Sequence, residues 1–488
     1  MKIWKKTVVF MGTLLLFAGC LGCGGENTKT KQTAGIRETE DKSTEKGGDE
    51  NRRAAKLVWQ GDEWFGKHGD YFNQVLKEKN LPYEVEFVRE GEGVRQADLK
   101  SLTAVWKDTY DNTKEILAGE FTALDEWLDS EEGSVIKEAV PENVWDVYKV
   151  DGKQYTVLSV GFVPKKTVYI WNKKMAEAYD VHPENWSGKI WEYEADLKKI
   201  CEGERETEDF AAVQGLAEYG EALENMTRIL GVCYPFVINE EEEIPKAQLL
   251  YETPEYAEYL NGAQKLYDSK ICEKEEEDPL KIQPFLKIVT DFVTEEAYSR
   301  SWQLPEGYWD TYEVKELWTE PLWRFSVCAQ EVGILEESLQ KKEAFELLCR
   351  LYEDAELTNA LIWGEKGKDY EVFGNTAEAP VRRGYIPAQY LGNNFIAYAE
   401  VGQDENKREL YPKWLLECEN SKIAGFEFSG KSCEKELEQI YSVYESGMPE
   451  ENQKRILQYR KAGADRVTEE WNRQYLAWRE GMEDGIKD

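Results

Sequence analysis

From residue 56 onward, short β-rich runs alternate with stretches of helical spacing. Lys56–Gln60 (KLVWQ) reads as a strand that Gly61 ends, and Phe72, Val75, Leu76 and Lys79 then fall at helical spacing. Tyr83–Arg89 (YEVEFVR) alternates and is rich in β-formers, so it reads as a second strand, with Leu99–Trp106 (LKSLTAVW) as a third. Residues 115–128 return to helical spacing through Leu124, Trp127 and Leu128, and Gln154–Val160 (QYTVLSV) is strand-like again. This rhythm predicts an α/β fold with a largely parallel sheet. Later segments are more helical. Leu335–Tyr352 carries Ala344, Leu348, Leu351 and Tyr352 on one stripe, and Asp465–Met482 carries Val467, Trp471, Tyr475, Trp478 and Met482 on another. Both read as amphipathic helices packed on a body.

A chain of 488 residues is long enough for two or three domains. Its formal net charge of -35 repels phosphate backbones and argues against a nucleic-acid partner. With only two histidines, His68 and His182, neither a multi-histidine metal site nor a histidine proton relay is expected. No P-loop and no catalytic constellation is present, and paired acids alone do not define a glycosidase. The nine cysteines are scattered, with Cys328 and Cys349 in apolar contexts, so free thiols are favoured over a disulfide framework and no metal spacing is seen. The acidic runs Glu240–Glu243 and Glu273–Asp278 lack calcium-loop grammar and read as solvated loops. The 17 Trp and 27 Tyr call for an explanation in any reading of function.

The first 19 residues read as an address. Lys2, Lys5 and Lys6 form a positive start, and Thr7–Ala18 is an uncharged, mostly apolar run, short for a membrane span but suited to a signal peptide. Phe17-Ala18-Gly19-Cys20 resembles a bacterial lipobox, with Phe17 where an aliphatic residue is usual. The resemblance implies export, cleavage before Cys20 and lipidation of its sulfur, and two or more acyl chains anchor stably. The alternative is an ordinary cleaved signal with Cys20 incidental, and Cys23 is a second candidate for the modified residue. Loss of the three lysines takes the charge from -35 to -38. Residues 20–55 then hold the lipidated cysteine and a segment almost without large apolar residues, which reads as a flexible tether.

Several motifs in order resemble one family. They are LVWQGDEWFG (57–66), ADLKSLTAVW (97–106), AGEFTALDEWL (118–128), VDGKQYTVLSV (150–160) and YIWNKKMAEAYDVHPENW (169–186). The second half adds the stretch 332–372, with Trp363-Gly364-Glu365-Lys366-Gly367 near its end, then LGNNF (391–395) and AGADRVTEEWNRQYLAW (462–478). Together they resemble the extracellular solute-binding proteins of ABC importers, of the family-1 sugar-binding type, over essentially all of 56–488. One departure is the short EGEGVRQA between Arg89 and Asp98, where family members usually carry a helix.

The resemblance implies a two-lobe, periplasmic-binding-protein-like α/β fold of type II. Each lobe would be a mostly parallel sheet flanked by helices, and a hinge would join the two. The expected first lobe is 56–164 with 326–380, and the second is 165–325 with 381–488. Ligand would bind between lobes, in loops beyond the carboxyl ends of strands. In the first such loop Asp62 and Glu63 are candidate acceptors for sugar hydroxyls and Trp64 a stacking surface. The other reading makes Asp62 a helix cap and Trp64 a core residue. In the loop after the third strand, Trp106, Asp108, Tyr110 and Asp111 form the best candidate site, with a plain turn as the alternative. In the second lobe Asp291 and Phe292, following the strand Phe285–Val289, are expected to face the cleft. Trp309, beside the turn Pro305-Glu306-Gly307, and Trp171 are further candidates. The glycines around Trp363 read as a tight turn after a helix.

The implied protein is a monomeric, lipid-anchored receptor on the extracytoplasmic face of the cell membrane, without cofactor or catalysis. It would hand a carbohydrate, expected to be an oligosaccharide, to ABC permease subunits. The charge leaves open a cationic ligand such as a polyamine or basic peptide, and the fold leaves open a surface glycosidase.

Overall fold

The computed structural model describes residues 54–61, 68–89, 96–103, 114–160, 166–207, 210–231, 233–272, 283–291, 307–324, 328–378, 392–400, 405–447, 449 and 451–485. Strands β1 (Ala55–Gly61), β2 (Tyr83–Arg89), β3 (Leu99–Thr103) and β4 (Thr156–Val160) come first, followed by β5 (Lys166–Asn172) and β6 (Phe210–Gln214). Then come β7 (Gln283–Asp291), β8 (Tyr312–Thr319) and β9 (Cys328–Ile334). They form two main sheets. The first has the order β2-β1-β3-β9-β4, and the second has the order β8-β5-β7-β6. β1 is parallel to both β2 and β3, and β6 is parallel to β7. The returning strand β9 runs antiparallel to β3 and β4, and β5 runs antiparallel to β7 and β8. Each sheet thus has a parallel part completed by antiparallel strands that arrive from the other lobe or along the sheet's edge.

The first sheet is built around β1, which is buried on both faces, with Val58 packed on one face against Val88 and Ala97. Leu57 and Trp59 are fully buried with Phe72 and Leu76 of the helix Gly69–Glu78 against them. Burying one such side chain contributes about 1.5–3 kcal/mol. The Trp59 indole donates to Ser101 Oγ at 2.9 Å, so its one polar atom is satisfied. Asp98, in the motif before β3, accepts from the Val58 backbone at 2.9 Å and from Ser338 Oγ at 2.7 Å. Its role is to tie β1 to the turn after β9. The helical reading of 115–128 breaks in the middle. Gly119 has φ +80°, Phe121 makes an isolated bridge to Leu335 just after β9, and a helix resumes only at Asp125–Leu128.

In β5 both faces are covered, because Tyr169 and Trp171 join the large second core while Val168 and Ile170 meet Tyr308, Trp309 and Tyr312. The strand ends where Asn172 accepts hydrogen bonds from the Lys174 and Met175 backbones and so caps the helix Lys173–Tyr179. Helices 254–268, 434–445, 452–461 and 464–485 close this second core.

Two large hydrophobic clusters divide the chain. One gathers residues between 57 and 158 with others between 322 and 415, and the second gathers 169–288 with 423–475. The chain therefore passes from one to the other between β4 and β5, between β8 and β9, and between Leu415 and Ile423. Within the stretch 381–415 expected in the second lobe, the described residues Phe395, Ala397, Tyr411 and Leu415 lie instead in the first cluster. The tie is specific. Asn393 Nδ2 donates to Tyr352 O at 3.1 Å, and the Tyr398 backbone donates to Asn359 Oδ1 at 3.0 Å.

Candidate ligand-binding site

The strand registers show which strand ends share an edge within each sheet. Val160 at the end of β4 pairs with Cys328 at the start of β9, and Thr103 at the end of β3 pairs with Gln330. With the end of β1 at Gly61, these residues mark the edge of the first sheet from which the chain crosses over. In the second sheet Lys166 pairs with both Asp291 and Thr319, so the start of β5 and the ends of β7 and β8 share the edge that receives the crossovers. Three loops expected to hold ligand, after Gly61, after Thr103 and after Asp291, therefore leave strand ends on the edges from which the chain passes between the sheets.

Asp62, Glu63, Trp64, Trp106, Asp108, Tyr110, Asp111 and Phe292 lie outside the described residues, as do Cys20 and the expected tether up to residue 53, while Ala55 already belongs to β1. Asp291 is placed by its backbone at the end of β7, on the crossover edge. Two other candidates lie away from that edge or within the core. Trp171 is 3% exposed within the second core, which accounts for its ring without a ligand. Trp309 precedes Tyr312, which pairs with Asn172 at the opposite end of β5 from Lys166. Six residues of strand separate the two ends, about 20 Å at 3.3 Å per residue. Trp309 packs beside Tyr308, rings 5.0 Å apart and edge-on, over Val168 and Ile170, and its carbonyl accepts from Lys173 Nζ at 2.9 Å.

Polar groups line the crossover edge. Lys166 Nζ lies 2.6 Å from Glu316 Oε2. Burial would raise the Glu316 carboxyl, but Lys166 and Thr319 outweigh it and hold it below its ordinary range. Thr167 and Thr290 hydroxyls meet at 3.0 Å. In the first lobe Ser159 Oγ, one residue before the end of β4, accepts from Asn394 Nδ2 at 2.8 Å and donates to Gly392 O at 3.0 Å. The LGNNF motif is thereby brought to the site edge. The glycine after Trp363 makes the turn expected of it, with φ +84° at Gly364.

The hinge holds a polar cluster that no local motif announced. Arg324, on the second crossover, is 6% exposed. Its Nη1 donates to both Glu331 oxygens at 2.6 and 2.7 Å, its Nε donates to Glu427, and its Nη2 donates to Tyr148 O at 3.1 Å. Glu331 also accepts from Thr156 Oγ1 at 2.6 Å, and the guanidinium sits 5.0 Å from the Tyr148 ring centre. Burial works against the charge on Arg324, yet the two carboxylates prevail and raise its pKa. Glu331 belongs to the first sheet, while Glu427 stands between Phe426 and Phe428 of the second core. One side chain therefore ties both lobes to the crossover. The second and third crossovers are also bonded to each other. The Leu322 backbone donates to Glu419 O at 2.8 Å, and the Ser421 backbone donates to Leu322 O at 2.8 Å. Glu240 reaches this junction too, accepting from Ser421 Oγ and from the Lys422 backbone at 3.1 Å, so the first acidic run is a docking element and not a free loop.

Two lobes, each with a mixed sheet covered by helices and joined by repeated crossovers, define the fold of extracellular solute-binding proteins. Consistent with this, the chain is similar to the N-glycan transport solute binding protein of Streptococcus pneumoniae. That likeness has a TM-score of 0.57 and 18% identity, covering 87% of this chain and 99% of that one. The same protein in complex with Man1GlcNAc gives a TM-score of 0.52 at 18% identity, with the same coverage of both chains. In sequence, a carbohydrate ABC transporter substrate-binding protein of Streptococcus pneumoniae serotype 4 is 26% identical over 223 residues. That alignment spans 42% of this chain and 44% of the relative, less than half of either. No family model matches the chain. Among the described residues no helix is long and apolar enough to cross a membrane.

Proposed function

We propose that this chain is the substrate-binding component of an ABC importer and that it captures a carbohydrate, specifically an oligosaccharide, between its two lobes. The observation that carries the reading is the convergence of the ends of β1, β3, β4, β7 and β8 on the crossovers, in a fold shared with a protein that binds glycan fragments. Asp62, Glu63, Trp64, Trp106, Asp108, Tyr110 and Asp111 supply the first lobe's contacts, and Asp291 and Phe292 the second's. The lobes consist of residues 54–160 with 328–415, and of 166–319 with 423–485. Arg324 and its carboxylates hold the junction about which they close. The protein is a non-catalytic monomer, attached through lipid on Cys20 to the outer face of the cell membrane, with residues 21–53 as the tether that lets the body reach its permease.

The test is thermal shift of residues 24–488 against mono- and oligosaccharides, Man1GlcNAc among them, at low and high salt. A saturable rise in melting temperature for one glycan class supports the reading by linkage, and it is nearly indifferent to salt. A salt-sensitive rise with polyamines or basic peptides alone replaces the carbohydrate with a cationic ligand, the reading that the -35 charge favours.

A further inference from the structure

Gln214 is the last residue of β6 and is 5% exposed. Neither its Nε2 nor its Oε1 has a hydrogen-bond partner. A carboxamide offers two donors and an acceptor, and leaving them unpaired in a folded interior is costly. Buried polar side chains are paired in the large majority, so an orphaned one calls for a reason.

Its place in the sheet supplies one. Gln214 lies opposite Lys287 of the parallel strand β7, and β7 runs on through Ile288 to Asp291 at the crossover edge. Four more residues of β7 amount to about 13 Å of strand that β6 does not accompany. The sheet therefore has a step beside the crossover edge, with Gln214 at its foot and β7 as its wall. Gly215 maintains the step. It has φ +85°, and a Cβ there would fall 2.1 Å from Ile288 O, so the chain turns tight against β7, and the helix Leu216–Glu221 that follows packs beside that strand. Ligands in open α/β sheets lie beyond the carboxyl ends of parallel strands, and β6 ends here.

We infer that Gln214 is a ligand-contacting residue of the second lobe, whose carboxamide pairs with two neighbouring hydroxyls of the bound carbohydrate. Oε1 accepts from one hydroxyl, and Nε2 donates to the oxygen of the next. A carboxylate could only accept. An amide meets a vicinal diol with both senses and carries no charge to desolvate. Standing on a strand, it is held rigidly for the purpose. This inference rests on the carbohydrate reading above.

The experiment is isothermal titration of residues 24–488, wild type and Gln214→Met, with Man1GlcNAc or, if that is silent, the oligosaccharide that most raises the wild-type melting temperature. Gln214→Leu is run in parallel as a second apolar replacement. The expected result is binding weakened at least tenfold in both variants, with the melting temperature of the ligand-free protein unchanged or raised. Titration of either folded variant within twofold of wild type overturns the inference while leaving the carbohydrate reading intact. A ligand-free melting temperature lowered by several degrees in both variants also overturns it, since the amide would then have its partner within the protein. Wild-type protein that is folded yet binds no glycan refutes the carbohydrate reading and this inference with it.

Discussion

Replacing Arg324 with methionine tests whether the junction between lobes depends on one buried cation. Its side chain is 5% exposed, and those of Glu331 and Glu427 are 1% and 10% exposed. Methionine keeps much of the volume but leaves two carboxylates desolvated without their counter-ion. Breaking a buried pair by removing one partner costs about 3–5 kcal/mol. The same substitution removes the donor to Tyr148 O at 3.1 Å. Urea unfolding of the ligand-free protein, followed by tryptophan fluorescence, reads the loss directly. Because the cluster is buried, the loss is nearly the same at low and high salt. Adding Glu331→Leu and Glu427→Leu to Arg324→Met recovers most of the stability, since an apolar replacement of a buried ion cluster is often neutral. A loss below about 1 kcal/mol for Arg324→Met, or no recovery in the triple variant, refutes the view that these charges depend on one another.

Gly262 faces Trp191 so closely that an added Cβ would lie 2.1 Å from the ring, and Gly262→Ala is expected to destabilise by about 1–3 kcal/mol through overpacking, read by the same unfolding curves. Acid stability follows from Glu470, which Arg473 and Gln474 hold at about 2 despite partial burial, and from Glu194, which Lys198, Ser269 and Lys265 hold at about 2. Both are depressed in the folded state, so their contribution is complete above about pH 4.5 and is lost as pH falls toward 2. A melting temperature that stays flat between pH 4.5 and pH 2 contradicts this. Trp106→Ala is expected to abolish the glycan-dependent rise in melting temperature while leaving the ligand-free value within a few degrees of wild type.

Strands were legible wherever apolar and β-forming residues ran together, as in KLVWQ, YEVEFVR and FLKIV, and the helix over 464–485 was legible from its stripe. Lobe membership of 392–415 was not. An apolar stripe such as that of the helix Lys407–Leu416 reveals that a face is buried but not which sheet it covers. The Pro305-Glu306-Gly307 signal predicts a turn but not the end of the sheet near which Trp309 lies, and Tyr312 after it pairs with Asn172, away from Lys166. At Trp171 the sequence offers no alternation to separate core from site, because β5 is buried on both faces. The aromatic abundance is partly structural, since Trp59, Trp145, Trp171, Trp186, Trp191, Trp363 and Trp471 are all buried. The hinge was invisible locally because Arg324 finds Glu331, Glu427 and Tyr148 at separations of 7, 103 and 176 residues. Gln214 is an ordinary strand residue until its burial and lack of partners are known.

The central claim is that the space between the lobes takes a neutral carbohydrate. Isothermal titration of residues 24–488 with Man1GlcNAc and longer glycans, at low and at high salt, tests it most directly. The account predicts saturable one-to-one binding to one glycan class with an affinity nearly unchanged by salt. Heat of binding from a polyamine or basic peptide that vanishes at high salt, with none from any glycan, would contradict it.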